Sequence, residues 1–181
     1  MTFELQFPAE EIEALARRFP ASDDGALLAT GARARARGHY TRAEFVALCA
    51  WKTPRSRPKI ASNSDRNVVD ATARAFATAD EAARIGALLA LNGVGVPTAS
   101  TLLYFAFPDE YPILDVRALD SLGVKSRSSY PVSFWLAYLE VCRSLARRSG
   151  VSLRTLDMAL WQRSKELSAA ASAGRRGPVS G

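Results

Sequence analysis

The chain has little of what builds metal and disulfide sites: one histidine and two cysteines in 181 residues. Two isolated thiols cannot make a zinc site or a four-cysteine iron–sulfur cluster. Cys49 and Cys142 both sit in apolar helical patterns that suit buried packing, and His39 stands without metal-ligating company. No window approaches the ~20 consecutive apolar residues of a membrane span. The opening MTFELQFPAEEIEAL carries two acids by residue 10 and no apolar run of signal-peptide length. An intracellular, cytoplasmic protein away from membranes is therefore expected. Strand-like alternation and internal repeats are missing as well, which points away from sheets and solenoids.

What is present is apolar and basic. Hydrophobic residues make up 48% of the chain, enough to bury a core and to exclude global disorder. The net charge of +6 favours an anionic partner, of which nucleic acid is the commonest. Helical periodicity runs almost throughout. Pro8 precedes a helix with Ile12, Leu15, Ala16 and Phe19, and Asp23 or Asp24 caps a second through GARARARG to Gly38. Thr41 with Glu44 forms a capping box for a third, ending before Pro54. Residues 51–63, with two prolines, read as a loop. Ser64 or Asp65 and then Asp80 open further helices, the second ending at Leu91. Another follows from Pro97 to Phe107, a short one covers 115–122, and two long ones cover 131–148 and 152–170. The expectation is a single all-α domain over 1–170 with a small, polar, disordered tail at 171–181.

The segment LNGVGVPTA, within a helix–hairpin–helix spanning 85–107, carries the first functional signal. Gly93 and Gly95 can both take positive φ, Val94 plugs the turn into the core, and the first amides of the helix from Pro97 point outward. Such a nest grips a phosphate without reading sequence. Asn92, Gly93, Val94, Gly95, Val96 and Thr98 are the expected DNA contacts of the hairpin.

LNGVGVPTASTLLYFAF followed by PDEYPILDVRALDSLG resembles the helix-hairpin-helix (HhH-GPD) DNA glycosylase superfamily, of the endonuclease III and adenine glycosylase type. The likeness is strong over 85–123 and looser over 41–167. The family pattern, LPGVGxxTA and then an essential aspartate after a short connector, matches Asp115, twenty residues after Gly95. The resemblance implies an all-α glycosylase fold, double-stranded DNA as partner, base flipping, and Asp115 as the catalytic carboxylate. A carboxylate there stabilises the oxocarbenium-like sugar and orients or deprotonates a water. Asp115 is equally suited to capping the helix it opens. Strand-cutting members carry a lysine where this chain has Pro97, so a monofunctional hydrolase is expected. Lys125 reads as a solvated or phosphate-contacting lysine. The family's iron–sulfur cysteines are missing, and no cofactor is expected beyond a monovalent cation at the hairpin. Members that protonate a neutral base place an acid in the helix matching 43–52. Only Glu44 is available there, and with its capping role it favours an already cationic, alkylated base.

Lys52, Arg55, Arg57 and Lys59, with no acid among residues 52–59, match the loop that enters the duplex in the resembled family. Trp51, Tyr40 and Trp135, with Tyr104 and Tyr138 behind them, are candidates to stack on an extruded base, whereas Trp161 reads as core. Arg33, Arg35 and Arg37 spread around their helix and read as solvated. A monomer is expected. The alternatives are a DNA-binding module that keeps the fold without the chemistry and, further off, a protein-interaction domain.

Overall fold

The computed structural model describes residues 2–20 and 24–174, and among them every regular element is a helix. A 3-10 turn at Ala9–Glu11 leads into α1 (Ile12–Arg18). Then come α2 (Asp24–Arg37), α3 (Arg42–Lys52), α4 (Arg57–Ala61), α5 (Asp65–Ala77) and α6 (Glu81–Leu89). The remainder is α7 (Val96–Ala106), α8 (Val116–Ser121), α9 (Val132–Arg148) and α10 (Leu153–Gly174). Capping chemistry sets the starts: Thr41 and Glu44 close a reciprocal box on α3. Ser64, Asp80 and Asp115 each accept a backbone N–H at the head of α5, α6 and α8.

Two expectations change. Residues 51–63 are not a loop: α3 runs through Lys52, a 3-10 turn covers Pro54–Ser56, and α4 follows. Both prolines stand in first turns, where the missing N–H costs nothing. The last helix also continues to Gly174, four residues into the expected tail, because Ala169, Ala170 and Ala171 are strong helix formers. The rest of that tail, 175–181, lies outside the described residues, as does Asp23.

α7 is the axis of the molecule. Every residue in it except Pro97 is buried, as in a helix packed on all sides. α2, α3 and α6 pack against it. α2 comes so close that a Cβ at Gly31 would stand 1.8 Å from the Phe105 carbonyl oxygen. α10 packs against α1, α8 and α9, and the Arg18 guanidinium clamps Glu166 at 2.8 and 3.1 Å to fasten α1 to α10. The arginines of GARARARG are exposed: Arg35 pairs with Glu110, Arg37 with Glu44, and Arg33 donates to Thr30. Among the described residues no helix is long and apolar enough to cross a membrane.

Candidate functional site

The hairpin between α6 and α7 turns on one left-handed residue, Gly93, at φ +79°. Gly95, expected to share that conformation, is instead extended at φ −101° and caps α7. A single left-handed step reverses the chain, and the extended residue then feeds it into the helix. A Cβ at Gly93 would meet Ile60 Cγ1 and Lys59 Cβ at 3.0 Å, so α4 lies directly on the turn. Asn63 locks that contact. Its Nδ2 donates to the Asn92 carbonyl (3.0 Å) and the Ile60 carbonyl (2.8 Å), and its Oδ1 accepts from the Asn92 N–H (2.9 Å). Val94 plugs into the core as expected. Val96 and Thr98 are buried too, and the Thr98 hydroxyl meets that of Thr53 at 3.1 Å. Their side chains therefore face inward, and only backbone at those positions can reach a ligand. No side chain caps α7, which leaves its N-terminal amides to solvent or an anion.

Asp115 sits at the end of a connector held on three sides. The Ser100 hydroxyl of α7 accepts from the Leu114 N–H (3.0 Å), Tyr138 of α9 donates to the Ile113 carbonyl (2.9 Å), and Asp157 of α10 accepts from the Ile113 N–H (2.9 Å). Asp115 Oδ1 accepts from the Ala118 N–H at 2.9 Å, so it does cap α8. Its Oδ2 lies 3.7 Å from Lys52 Nζ, with the two side chains 21% and 15% exposed.

That carboxylate stands where two hollows meet. One is a cavity of about 280 Å³ walled by Phe19, Trp51, Tyr104, Met158 and Trp161, with Asp24, Lys52, Asp115 and Asp157 among its polar groups. The other, about 680 Å³, runs along the hairpin past Arg55, Gly95, Val96, Pro97 and Arg127. Lys52 and Asp115 line both. Asp157 is partly open to the first cavity. Desolvation pushes its carboxyl from 3.8 up to about 7, with the Asp115 charge adding and the Ile113 N–H, Lys52 and Arg154 opposing. Asp24 is buried, and its Oδ1 has no hydrogen-bond partner among the described residues. Burial raises the Tyr104 phenol, which accepts a hydrogen bond from Arg154.

The sequence-derived candidates separate accordingly. Trp51 is on the cavity wall, 45% exposed, with its ring edge-on to Phe105 at 5.3 Å. Tyr40 and Trp135 are not there. Both are fully buried: Tyr40 donates to the Leu102 carbonyl at 2.7 Å, and Trp135 packs against Tyr138 inside the core. Trp161, read as core, lines the cavity as well, with Phe19 edge-on to it at 5.1 Å. Arg55, Arg57 and Lys59 stay exposed on the 3-10 turn and α4, but Lys52 turns inward to Asp115. Glu44 is committed to its capping box and to Arg37. Lys125 is exposed on a separate hollow beside α8. Both cysteines are buried, and desolvation pushes the Cys49 thiol up to about 12. Among the described residues no group of three or more His, Cys, Asp or Glu side chains could hold a metal ion. Compared with known proteins, the chain matches no family model, no curated protein and no solved structure.

Proposed function

We propose that the protein is a DNA glycosylase of the helix-hairpin-helix type, which binds duplex DNA, extrudes one nucleotide and hydrolyses its N-glycosidic bond. The observation that carries this reading is the position of Asp115 at the shared rim of an aromatic cavity and the hairpin hollow. A cavity of about 280 Å³ is near the lower bound of small-ligand pockets, as suits a single base. With that base between Trp51 and Trp161, and the flanking phosphates on the α7 amides, Arg55, Arg57 and Lys59, the sugar falls beside Asp115. Its carboxylate, oriented by the α8 cap, stabilises the oxocarbenium-like sugar and directs a water to the anomeric carbon.

The leaving base needs an acid unless it is already cationic. Glu44 does not reach the cavity, but Asp157 does, and near neutral pH it retains a proton to give. Neutral modified bases therefore join alkylated ones as substrates. Asp24 Oδ1, without a hydrogen-bond partner among the described residues, suits a ring N–H or exocyclic amine of that base. A DNA-binding module without chemistry explains Asp115 Oδ1 as a cap. It leaves Oδ2 at Lys52 and the two further carboxyls of the cavity unused.

The test is mass spectrometry of bases freed from duplex DNA carrying alkylated, oxidised and deaminated nucleotides. Release of at least one modified base by the wild-type protein is expected. Tight binding with no release across the set would establish the binding module instead.

A further inference from the structure

Of the three acids that line the aromatic cavity, two are engaged by the fold. Asp115 caps α8 through the Ala118 N–H at 2.9 Å and faces Lys52 at 3.7 Å, and Asp157 accepts the Ile113 N–H at 2.9 Å. Asp24 is not engaged. The residue is 8% exposed, its Oδ1 is buried without a hydrogen-bond partner, and no lysine or arginine pairs with it among the described residues. Its place at the start of α2 does not account for this. Helix dipoles favour an acid there, but the first-turn acids of α1 and α5, Glu13 and Asp65, fill that role from exposed positions. A carboxylate buried without a partner is costly, and one facing a cavity points to a ligand that supplies the missing donors. Asp24 also precedes the 41–167 stretch whose sequence resembles the glycosylase superfamily.

The surroundings say which donors these are. Phe19, Trp51, Tyr104 and Trp161 wall the cavity with flat rings, so what reaches Asp24 is the edge of a planar base. An ionised carboxylate only accepts, and its two oxygens match two parallel N–H donors. Among neutral bases the guanine edge offers that pair, a ring N1–H beside the exocyclic 2-amine. Adenine and cytosine set one amine beside a bare ring nitrogen, and thymine and uracil hold a single N–H between two carbonyls. Tyr104 extends the match. Its phenol oxygen accepts from Arg154, its own proton has no acceptor among the described residues, and it lies near enough for the Asp24 charge to act on it. That proton suits the O6 carbonyl beside N1–H.

We propose that Asp24 determines specificity, holding a guanine-type base by its N1–H and 2-amine, so that modified guanines are what this cavity takes from DNA. This rests on the reading of the site as a glycosylase. Loss of the 2-amine removes one of the two charge-assisted hydrogen bonds, and its replacement by a carbonyl sets oxygen against oxygen at a buried carboxylate.

Free 7-methylguanine and 7-methylhypoxanthine differ only in the 2-amine, and quenching of the fluorescence of Trp51 and Trp161 reads their entry into the cavity. The wild type is expected to bind 7-methylguanine about 10-fold more tightly. Asp24→Asn, which replaces one acceptor with a donor, is expected to bind the two equally. Asparagine also suits a helix start, so the variant should unfold no more readily than the wild type. Equal affinities in the wild type, binding of neither base, or a preference that survives in Asp24→Asn overturns the assignment. Base release from duplex DNA carrying modified guanines, adenines, cytosines and thymines is measured alongside. Release confined to bases other than guanines overturns the role of Asp24 while the glycosylase reading stands. No release of any base, with the binding preference intact, removes the glycosylase reading and the claim on DNA substrates with it, and leaves Asp24 as the contact of a guanine-binding cavity.

Discussion

At the scale of the residue, the site turns on three groups whose partners come from distant parts of the chain. Asp157 is the group whose burial sets a pH dependence. Its folded carboxyl keeps a proton up to about pH 7, whereas the unperturbed group releases it near 3.8. Its contribution to stability is thus complete at acid pH, declines as the pH rises above about 4, and is gone above about pH 7. Asp157→Asn keeps the oxygen that accepts the Ile113 N–H but cannot ionise. Denaturant unfolding at pH 5 and pH 8 should therefore show the wild type losing about 1 kcal/mol more than the variant over that interval, a figure discounted for the side open to the cavity. In base release, the wild-type rate should fall as the pH passes about 7, and the variant should lack that limb. Asp115 was legible in the sequence because its signals are local: a hairpin, a fixed spacing and a capping position. Asp157 was not, and Lys52 was read only as one cation of the 52–59 run, not as a partner of Asp115. One lies 42 residues beyond Asp115 on α10, the other ends α3, and only tertiary packing brings them together.

At the scale of the element, helix existence and order were readable from capping residues and periodicity, and the departures have local causes. Proline at 54 and 58 suggested a loop, yet each occupies a helical first turn. Tyr40 and Trp135 show why aromatic rings are poor markers of a pocket. Tyr40 lies in the connector between α2 and α3 and Trp135 on α9, and neither position reveals in the sequence that other elements cover the ring. The joint between α4 and the hairpin is the contact that sets the surface proposed to meet DNA. Gly93→Ala places a side chain in left-handed backbone and against Ile60 and Lys59. It should cost about 2 kcal/mol in unfolding free energy and weaken duplex binding. Gly31→Ala, at the C-terminal end of α7 and away from the hairpin, drives a Cβ into the Phe105 carbonyl. It should cost about 3 kcal/mol while leaving the geometry of the hairpin intact, so thermal unfolding with DNA titration separates the two.

At the scale of the molecule, the basic charge is put to uneven use. The arginines of α2 pair with Glu110 and Glu44 or bond within their own helix, whereas Arg55, Arg57 and Lys59 stand beside the hairpin with no carboxylate paired to them among the described residues. Replacing those three by alanine should reduce the slope of log K against log salt for duplex binding by about 3, on the order of 0.9 per phosphate contact. Under the proposed function this surface delivers a base to the cavity and Asp115 acts on its sugar. Single-turnover release of the base from a duplex that the wild type processes, measured for Asp115→Asn with DNA affinity in parallel, tests it most directly. The variant keeps an oxygen to cap α8 and should bind DNA as tightly as the wild type while releasing base about 100-fold more slowly or less. Release at the wild-type rate by a folded, DNA-binding Asp115→Asn would contradict the account.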